Sequence, residues 1–160
     1  MRAAADGEFA DWVSPHVVAM SRLAARLAPD GDRDDIVQEA LLRAWRKRST
    51  YDETRGSVLT WLLAIVADQC RRSRVRSRPT SSLVDTPVID STADVDLERE
   101  LLRLSERQRL AISLHYFVGL SVRECADVMR CSEGTVKSQT ARGLDALRVS
   151  VSQLVGRVAS

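Results

Sequence analysis

The stretch CSEGTVKSQTARGLDALR, residues 131–148, carries polar side chains at a spacing that is unusual for a surface helix. One side of the predicted helix is apolar or small, while the other carries short hydroxyls, an amide and two long cations. The polar side and its shoulders comprise Thr135, Lys137, Ser138, Gln139 and Arg142. Such cations can bind guanine edges or phosphate, and hydroxyls and amides can bind bases or phosphate. The pattern favours a DNA contact; an ordinary surface helix in a small bundle is the alternative.

The elements around this stretch have the spacing of a helix-turn-helix. Ser121 and Glu124 predict a capping box that begins the first helix, and "RCS" turns the chain after it. Ser132 is a favourable N-cap for the second helix, whose N-terminal residues enter the major groove in such motifs. Gly134 lets that helix approach DNA closely. The predicted core side of the motif consists of Val122, Ala126, Met129 and Val136.

An earlier helix is predicted to begin at a second capping box, formed by Ser105 and Gln108, and to end at Gly119. Gln108 and Arg109, at its start, are predicted to contact phosphate. His115 lies beside two aromatic residues and is interpreted as structural. Cys125 and Cys131 are interpreted as small apolar residues near the turn.

A second basic segment, RRSRVRSR at residues 71–78, contains five arginines, and the following stretch to Glu98 carries only acidic charges. A basic block that ends one structural unit is a candidate nucleic-acid contact. A solvated helix end, stabilised by cations near its C-terminus, is the alternative.

Periodic apolar residues predict helices along the chain, and no alternating strand pattern is present. We predict an all-α fold of two small helical domains, residues 1–77 and 98–155, the second a helix-turn-helix. An acidic flexible linker over residues 78–97 is predicted to join them, because it combines prolines, hydroxyl residues and aspartates. Asp32 and Ser57 are predicted to cap the two long helices of the first domain.

Composition excludes several classes of protein. The 160 residues contain no apolar run long enough to span a membrane, and the N-terminus has no apolar signal core. Three separated cysteines and two histidines predict neither a disulfide framework nor a zinc site. We therefore predict a cytoplasmic protein without membrane insertion, metal or cofactor. The acids at residues 32–39 leave a metal-dependent nuclease as an alternative, although acids at a helix start are favoured by the helix dipole.

Two stretches together resemble a known family. DDIVQEALLRAWRKRSTYDETRGSVLTWLLAIVADQCRR resembles the promoter-melting domain of bacterial sigma factors. LSERQRLAISLHYFVGLSVRECADVMRCSEGTVKSQTARGLDALR resembles their C-terminal promoter-binding domain. Their order, spacing and linker make the chain similar to the extracytoplasmic-function (ECF) sigma factors of the sigma-70 superfamily. The resemblance implies a non-enzymatic subunit that directs core RNA polymerase to promoters and opens strands without ATP.

The resemblance also implies a role for individual residues. Those expected to bind the clamp helices of the largest polymerase subunit are Asp35, Gln38, Glu39 and Arg43. Those expected to bind the single-stranded −10 element are Tyr51, Thr54, Arg55, Asp68, Arg71, Arg72 and Arg74. Those expected to bind the −35 duplex are Gln108, Arg109, Thr135, Lys137, Ser138, Gln139 and Arg142.

The chain departs from the family's usual residues at positions 68 and 139. The family often has asparagine at position 68, where this chain has an aspartate that accepts hydrogen bonds and repels phosphate. It often has arginine at position 139, where Gln139 can instead bind adenine bidentately.

Other interpretations stay open at this point. An anti-sigma protein restrains many members of the family, although nothing in the sequence identifies one. A stand-alone helix-turn-helix regulator would dimerise and bind a palindromic duplex without polymerase. A sigma-like protein that sequesters a partner is a third interpretation.

Overall fold

The computed structural model describes residues 2–76 and 92–158, with side chains for residues 7–76, 97–150 and 152. Every regular element within these ranges is helical, which confirms the all-α prediction. Contacts divide the chain into two compact units, Met1–Ser82 and Leu83–Ser160. Residues 77–91, which include most of the predicted linker, lie outside the described residues.

The first unit contains the helices α1 (Arg2–Val13), α2 (Val17–Leu27), α3 (Arg33–Lys47) and α4 (Val58–Arg76). Helices α2, α3 and α4 pack against one another. The fully buried residues Ala40 and Ala44 lack long side chains, so α3 can approach its neighbours closely. The larger side chains of this core are Met20, Leu23, Ile36, Leu62, Leu63 and Val66.

Both predicted caps of the first unit are present. The Asp32 carboxylate accepts a hydrogen bond from the Asp35 N–H at 3.0 Å, at the start of α3. Ser57 Oγ accepts one from the Thr60 N–H at 3.2 Å, at the start of α4. Each cap satisfies a backbone donor that has no partner inside its helix.

The second unit contains the helices α5 (Thr92–Arg103), α6 (Glu106–Ile112), α7 (Val122–Met129) and α8 (Glu133–Val158). A short π-helical segment, Ser113–Val118, extends α6 to Gly119, whose φ of 88° ends it. Both predicted capping boxes are formed, Ser105 with Gln108 and Ser121 with Glu124. Helix α8 packs on α6 and α7, which gives the predicted helix-turn-helix.

Helix α5 begins at Thr92, six residues before Glu98, where the sequence predicted that helix would resume. Acidic residues favour the first turns of a helix through its dipole, so the acidic composition that indicated a linker fits a helix start equally well. The predicted linker is therefore helical over residues 92–97.

Candidate nucleic-acid interface

The N-terminus of α8 is fixed by a side-chain cap. Ser132 Oγ accepts a hydrogen bond from the Thr135 N–H at 3.1 Å, and the two hydroxyl oxygens lie 2.9 Å apart. Val136, on the opposite side, is 1% exposed and anchors the helix in the core. The Thr135 hydroxyl is therefore partly engaged by the cap, whereas Lys137 and Ser138 face solvent.

The polar face of α8 is exposed as the sequence predicted. Its exposed members are Lys137, Ser138 and Arg142, with Thr135 and Gln139 half-buried beside them. Among the described residues no carboxylate pairs with Lys137 or Arg142. Both cations are therefore available to an anionic ligand, and Lys137 lies in the second turn of α8, the nearer of the two to its N-terminus.

Helix α8 approaches α6 closely at Gly143. A Cβ atom there would lie 2.6 Å from Ile112 Cδ1 and 3.4 Å from Gln108 Cβ, so no larger residue fits without rearrangement. Beyond Gly143, the packed set comprises Leu97, Leu101, Leu104, Ile112, Phe117, Leu144 and Leu147. This packing holds the polar face in one orientation on a rigid helix.

The turn between α7 and α8 uses an arginine where glycine is the more favourable residue. Arg130 adopts φ 52°, the left-handed region, and the Cys131 N–H donates to the Ala126 carbonyl at 3.1 Å.

The predicted core side of α7 needs one correction. Helix α7 buries Cys125, Ala126 and Val128, while Val122 and Met129 are only half-buried. Of the three residues that the sequence placed on this core side, only Ala126 is buried.

Arg109 is buried and does not lie on the predicted DNA-binding surface, contrary to the sequence prediction. It is 2% exposed, and its guanidinium donates to the carbonyls of Leu101, Leu102 and Leu104 at 3.1–3.4 Å. These carbonyls lie at the C-terminal end of α5 and just beyond it, where backbone acceptors lack helical partners. Arg109 therefore joins α5 to α6. Gln108 is also engaged, because its side chain caps the Ser105 N–H at 3.3 Å.

The loop between α3 and α4 is held by its own residues. The Thr54 hydroxyl and N–H both donate to Asp52 Oδ1, at 2.6 and 2.9 Å, and these bonds hold the pKa of Asp52 below its ordinary value. The Tyr51 hydroxyl donates to the Gly56 carbonyl at 3.2 Å and closes the loop. Arg55 is exposed at its tip.

Five aromatic rings form a half-buried cluster beside this loop. Tyr51 lies 5.1 Å from Trp12 and 5.5 Å from Trp61, measured between ring centroids. Phe9 connects the group to Trp45 at 5.1 Å. The sequence did not predict this cluster, because its members come from α1, α3, the loop and α4. Tyr51 is therefore also a structural residue.

Asp68 and Arg43, predicted for different partners, lie together. Arg43 Nη1 of α3 is 3.5 Å from Asp68 Oδ2 of α4. Arg72 Nη2 lies 3.2 Å from the same oxygen, and Arg71 Nη1 lies 3.3 Å from Asp68 Oδ1. Arg74, further along α4, is exposed. Arg43 thus points to α4, away from the predicted polymerase face.

The exposed face of α3 carries the remaining residues predicted for polymerase. Asp35, Gln38 and Glu39 are all exposed. Leu42, one turn beyond Gln38 and Glu39, is 49% exposed, and sequence analysis did not predict it as part of this face. Its helical spacing of three to four residues from Gln38 and Glu39 was the available signal. The face therefore combines acidic and amide groups with one apolar side chain.

The cysteines and His115 have structural environments. Burial raises the pKa of the Cys70 thiol to about 12 and that of Cys125 to about 11, so both stay protonated at neutral pH. His115 Nδ1 lies 2.7 Å from the Leu120 carbonyl oxygen, at the end of the π-helical segment. The interpretation of His115 as structural agrees with this contact.

Two absences hold for the part of the chain that is described. No helix there is long and apolar enough to cross a membrane. No group of three or more histidine, cysteine or acidic side chains in the same ranges could hold a metal ion.

Comparison with known proteins identifies the family. Residues 12–80 match sigma-70 region 2, and residues 94–147 match sigma-70 region 4. The ECF RNA polymerase sigma factor SigM of Mycobacterium tuberculosis is 35% identical over 144 residues, which cover 86% of this chain and 70% of SigM. The ECF RNA polymerase sigma-E factor of Escherichia coli K12 is 32% identical over 162 aligned positions, covering 86% and 83% of the two chains.

A solved structure shares the fold. The sigma factor RpoE of Bartonella quintana, in complex with the anti-sigma factor NepR, aligns with a TM-score of 0.72 and 24% identity over 91% of this chain and 97% of RpoE. The chain belongs to the ECF sigma factors, which are transcription initiation factors that act with RNA polymerase and not enzymes. This confirms the resemblance drawn from the sequence.

Proposed function

We propose that this sigma factor docks on core RNA polymerase through α3, captures the melted −10 strand with the first unit and binds the −35 duplex with the second. The observation that carries the proposal is the polar face of α8, which presents exposed cations and hydroxyls on a capped, closely packed helix. Family membership over both regions supports the division of labour between the units.

At the −35 element, the N-terminal half of α8 enters the major groove. Arg142 and Lys137 bind guanine edges or phosphate, while Gln139 favours adenine through two hydrogen bonds. Ser138 and the partly engaged Thr135 add shorter contacts to bases or phosphates. Arg109 has no part in this surface because its guanidinium is buried against carbonyls, and Gln108 serves its cap.

At the −10 element, the loop and the end of α4 hold an unstacked strand. Arg55, Arg71, Arg72 and Arg74 are exposed cations that can follow the strand phosphates. The half-exposed rim of the aromatic cluster next to Tyr51 and Thr54 offers stacking and hydrogen-bonding partners for a base. Binding of unstacked bases stabilises the open strands, so opening needs no ATP.

On α3, Asp35, Gln38 and Glu39 surround Leu42 and form the surface that docks on the clamp helices of the largest polymerase subunit. A polar rim around an apolar side chain suits a contact that must also be soluble when free. An anti-sigma protein is the further partner that family membership suggests. Action on polymerase and promoter DNA places the protein in the cytoplasm.

The test is co-elution of the full chain with bacterial core RNA polymerase on a sizing column, followed by run-off transcription on genomic fragments. A stable complex that initiates at discrete sites is expected. Glu39→Lys should weaken co-elution, whereas Arg142→Ala should co-elute normally and lose initiation. Symmetric duplex binding by the chain alone, without a polymerase complex, would instead identify a dimeric regulator.

A further inference from the structure

Asp68 holds three guanidinium groups on a surface that the proposed function assigns to a DNA strand. Both of its carboxylate oxygens are engaged, Oδ1 by Arg71 and Oδ2 by Arg72 and Arg43, at 3.2–3.5 Å. Helical spacing brings Arg71 and Arg72 to Asp68 as its i+3 and i+4 neighbours. Arg43 reaches it from α3, which packs on α4.

The four side chains differ in how much solvent they meet. Arg71 and Arg72 are 56% and 52% exposed, and Asp68 is 39% exposed. Arg43 is only 23% exposed. Ion pairs between exposed side chains are weak and screened, so Arg71 and Arg72 can readily exchange a carboxylate for another anion. The less exposed Arg43 is less accessible to a solute and better placed to stay with Asp68.

A strand phosphate and the Asp68 carboxylate offer the same chemistry to arginine, because each presents two anionic oxygens that accept hydrogen bonds from N–H groups. Arg71 contacts Asp68 through Nη1 and Arg72 through Nη2, and a phosphate that takes these same N–H groups must displace the carboxylate. An ionised aspartate accepts hydrogen bonds and donates none, so it cannot bind a phosphate itself. Asp68 therefore opposes strand binding in two ways, by occupying Arg71 and Arg72 and by repelling the incoming charge.

We infer that Asp68 is a specificity-determining residue that competes with strand phosphates for Arg71 and Arg72 and so lowers the affinity of α4 for nucleic acid of any sequence. This inference rests on the proposed −10 role of α4. A strand held only by its phosphates must displace Asp68 without other gain. A strand whose bases also bind beside the loop has additional contacts that offset the displacement.

Arg43 has a separate role in this arrangement. When phosphates take Arg71 and Arg72, Arg43 remains the neighbour that neutralises Asp68. Its removal would leave an uncompensated carboxylate facing the strand. Asp68→Asn and Arg43→Gln therefore change strand affinity in opposite directions, and their effects are coupled, because the two side chains are in contact.

The experiment measures binding of the full chain to a fluorescein-labelled, mixed-sequence single-stranded oligonucleotide of 20 nucleotides, by anisotropy at 50–200 mM NaCl. Asp68→Asn should bind about 3- to 10-fold more tightly at the lowest salt, with a log–log salt slope steeper by about 0.7, the value for one more phosphate contact on a single strand. Arg43→Gln should bind about 2- to 5-fold more weakly, and Asp68→Asn should abolish that loss.

Two further variants make the result decisive. Asp30→Asn removes one negative charge at an exposed position before α3 and should leave the affinity within about 2-fold, because screening weakens distant charges. The double variant Arg71→Ala, Arg72→Ala should bind the oligonucleotide at least about 10-fold more weakly. Circular dichroism melts establish that each variant is folded, and Asp68→Ser is the second replacement should Asp68→Asn unfold.

The possible outcomes separate the two ideas. Equal or weaker binding by Asp68→Asn, with loss in the double arginine variant, would overturn the competition and keep α4 as the strand surface. Unchanged binding in the double arginine variant would overturn the proposed −10 role of α4, and the inference with it. A gain in Asp30→Asn equal to that in Asp68→Asn would reduce the effect to net charge and overturn the competition.

Discussion

The two predicted nucleic-acid surfaces are built in different ways. On α8, the residues that cap and pack the helix are Ser132, Val136 and Gly143. Most residues on its solvent-exposed face do not contribute to this packing. In the first unit, side chains that are predicted to bind DNA also hold the fold together. Tyr51 joins the aromatic cluster and closes the loop, and Asp68 holds three arginines.

The difference predicts where binding and stability can be separated by mutation. Substitutions on the face of α8 should change duplex binding and leave folding intact, because the scaffold residues are different ones. Substitutions in the loop of the first unit should change both. A duplex is rigid and is read by side chains projecting from a preformed helix, whereas an unstacked strand needs a pocket whose walls are part of the fold.

The largest effect is expected from Tyr51→Ala in the first unit. It removes the ring contacts with Trp12 and Trp61 and the bond to the Gly56 carbonyl, and should cost about 2–3 kcal/mol, below the range for fully buried aromatic residues. All three tryptophans of the chain belong to the first unit, so urea unfolding followed by tryptophan fluorescence reports on that unit.

Tyr51→Phe is the matched control, because it keeps the ring and removes only the hydroxyl. It should cost about 0.5–1.5 kcal/mol, the worth of one hydrogen bond. An unchanged unfolding midpoint for Tyr51→Ala would contradict the double role of this loop.

The next effect in size is the loss of duplex binding in Arg142→Ala, about 1–3 kcal/mol or 5- to 150-fold, as for one specific contact with a guanine. Stability should change by less than about 0.5 kcal/mol, because Arg142 is exposed and supports no packing. Holoenzyme footprinting over the −35 element measures the loss, and co-elution with core polymerase serves as the unaffected activity.

Arg148→Ala removes the same charge further along α8, where Arg148 is 82% exposed and lies 4.0 Å from Asp145. It should bind almost normally. Equal losses of duplex affinity in Arg142→Ala and Arg148→Ala would show that α8 contributes only its positive charge. Loss of polymerase binding in Arg142→Ala would contradict the proposed division of roles between the two units.

A smaller effect on stability alone is expected at Gly119, which leads the chain toward α7. Its φ of 88° is costly for residues with a Cβ atom, and no atom lies within 4 Å of the position such a Cβ would take. Gly119→Ala should therefore cost about 1–2 kcal/mol from backbone strain alone. Far-UV circular dichroism reports on the helices of both units and should show the loss, whereas the tryptophan signal of the first unit should not shift, which assigns the loss to the second unit.

Gly119→Asn tests the cause, because asparagine tolerates the left-handed region better than alanine. It should recover part of the lost stability. Equal destabilisation by both residues would point to a steric cause in place of the backbone conformation.

The sequence predicted those parts of the fold that depend on local signals. Both capping boxes, the caps at Asp32 and Ser57 and the left-handed end at Gly119 each require only a few neighbouring residues. The exposed face of α8 followed from helical periodicity for the same reason.

The parts that sequence did not predict depend on long-range contacts. The aromatic cluster joins residues from four separate segments, and the Arg43–Asp68 pair joins two helices. Arg109 looked like a surface cation because its partners are backbone carbonyls, which no residue type reveals. The roles of these residues depend on which helices pack together, and local sequence signals do not specify that packing.

The smallest expected effect, at Gly134, tests the α8 surface most directly. A Cβ atom there would meet only Ser132 Oγ, at 3.8 Å, so the fold has room for alanine. Alanine also favours a helix over glycine, and Gly134→Ala should therefore be as stable as the parent or about 0.5–1 kcal/mol more stable. Its added methyl group faces the predicted duplex, however, and should weaken duplex binding by about 2- to 5-fold if the helix backbone lies close to DNA.

Gly143→Ala is the matched control and should lower stability, because its Cβ would lie 2.6 Å from Ile112 Cδ1 in the core. Thermal melts and duplex titrations of the two variants therefore distinguish residues of α8 that bind DNA from residues that pack the fold. A Gly134→Ala variant with undiminished duplex affinity would mean that this end of α8 does not approach DNA closely.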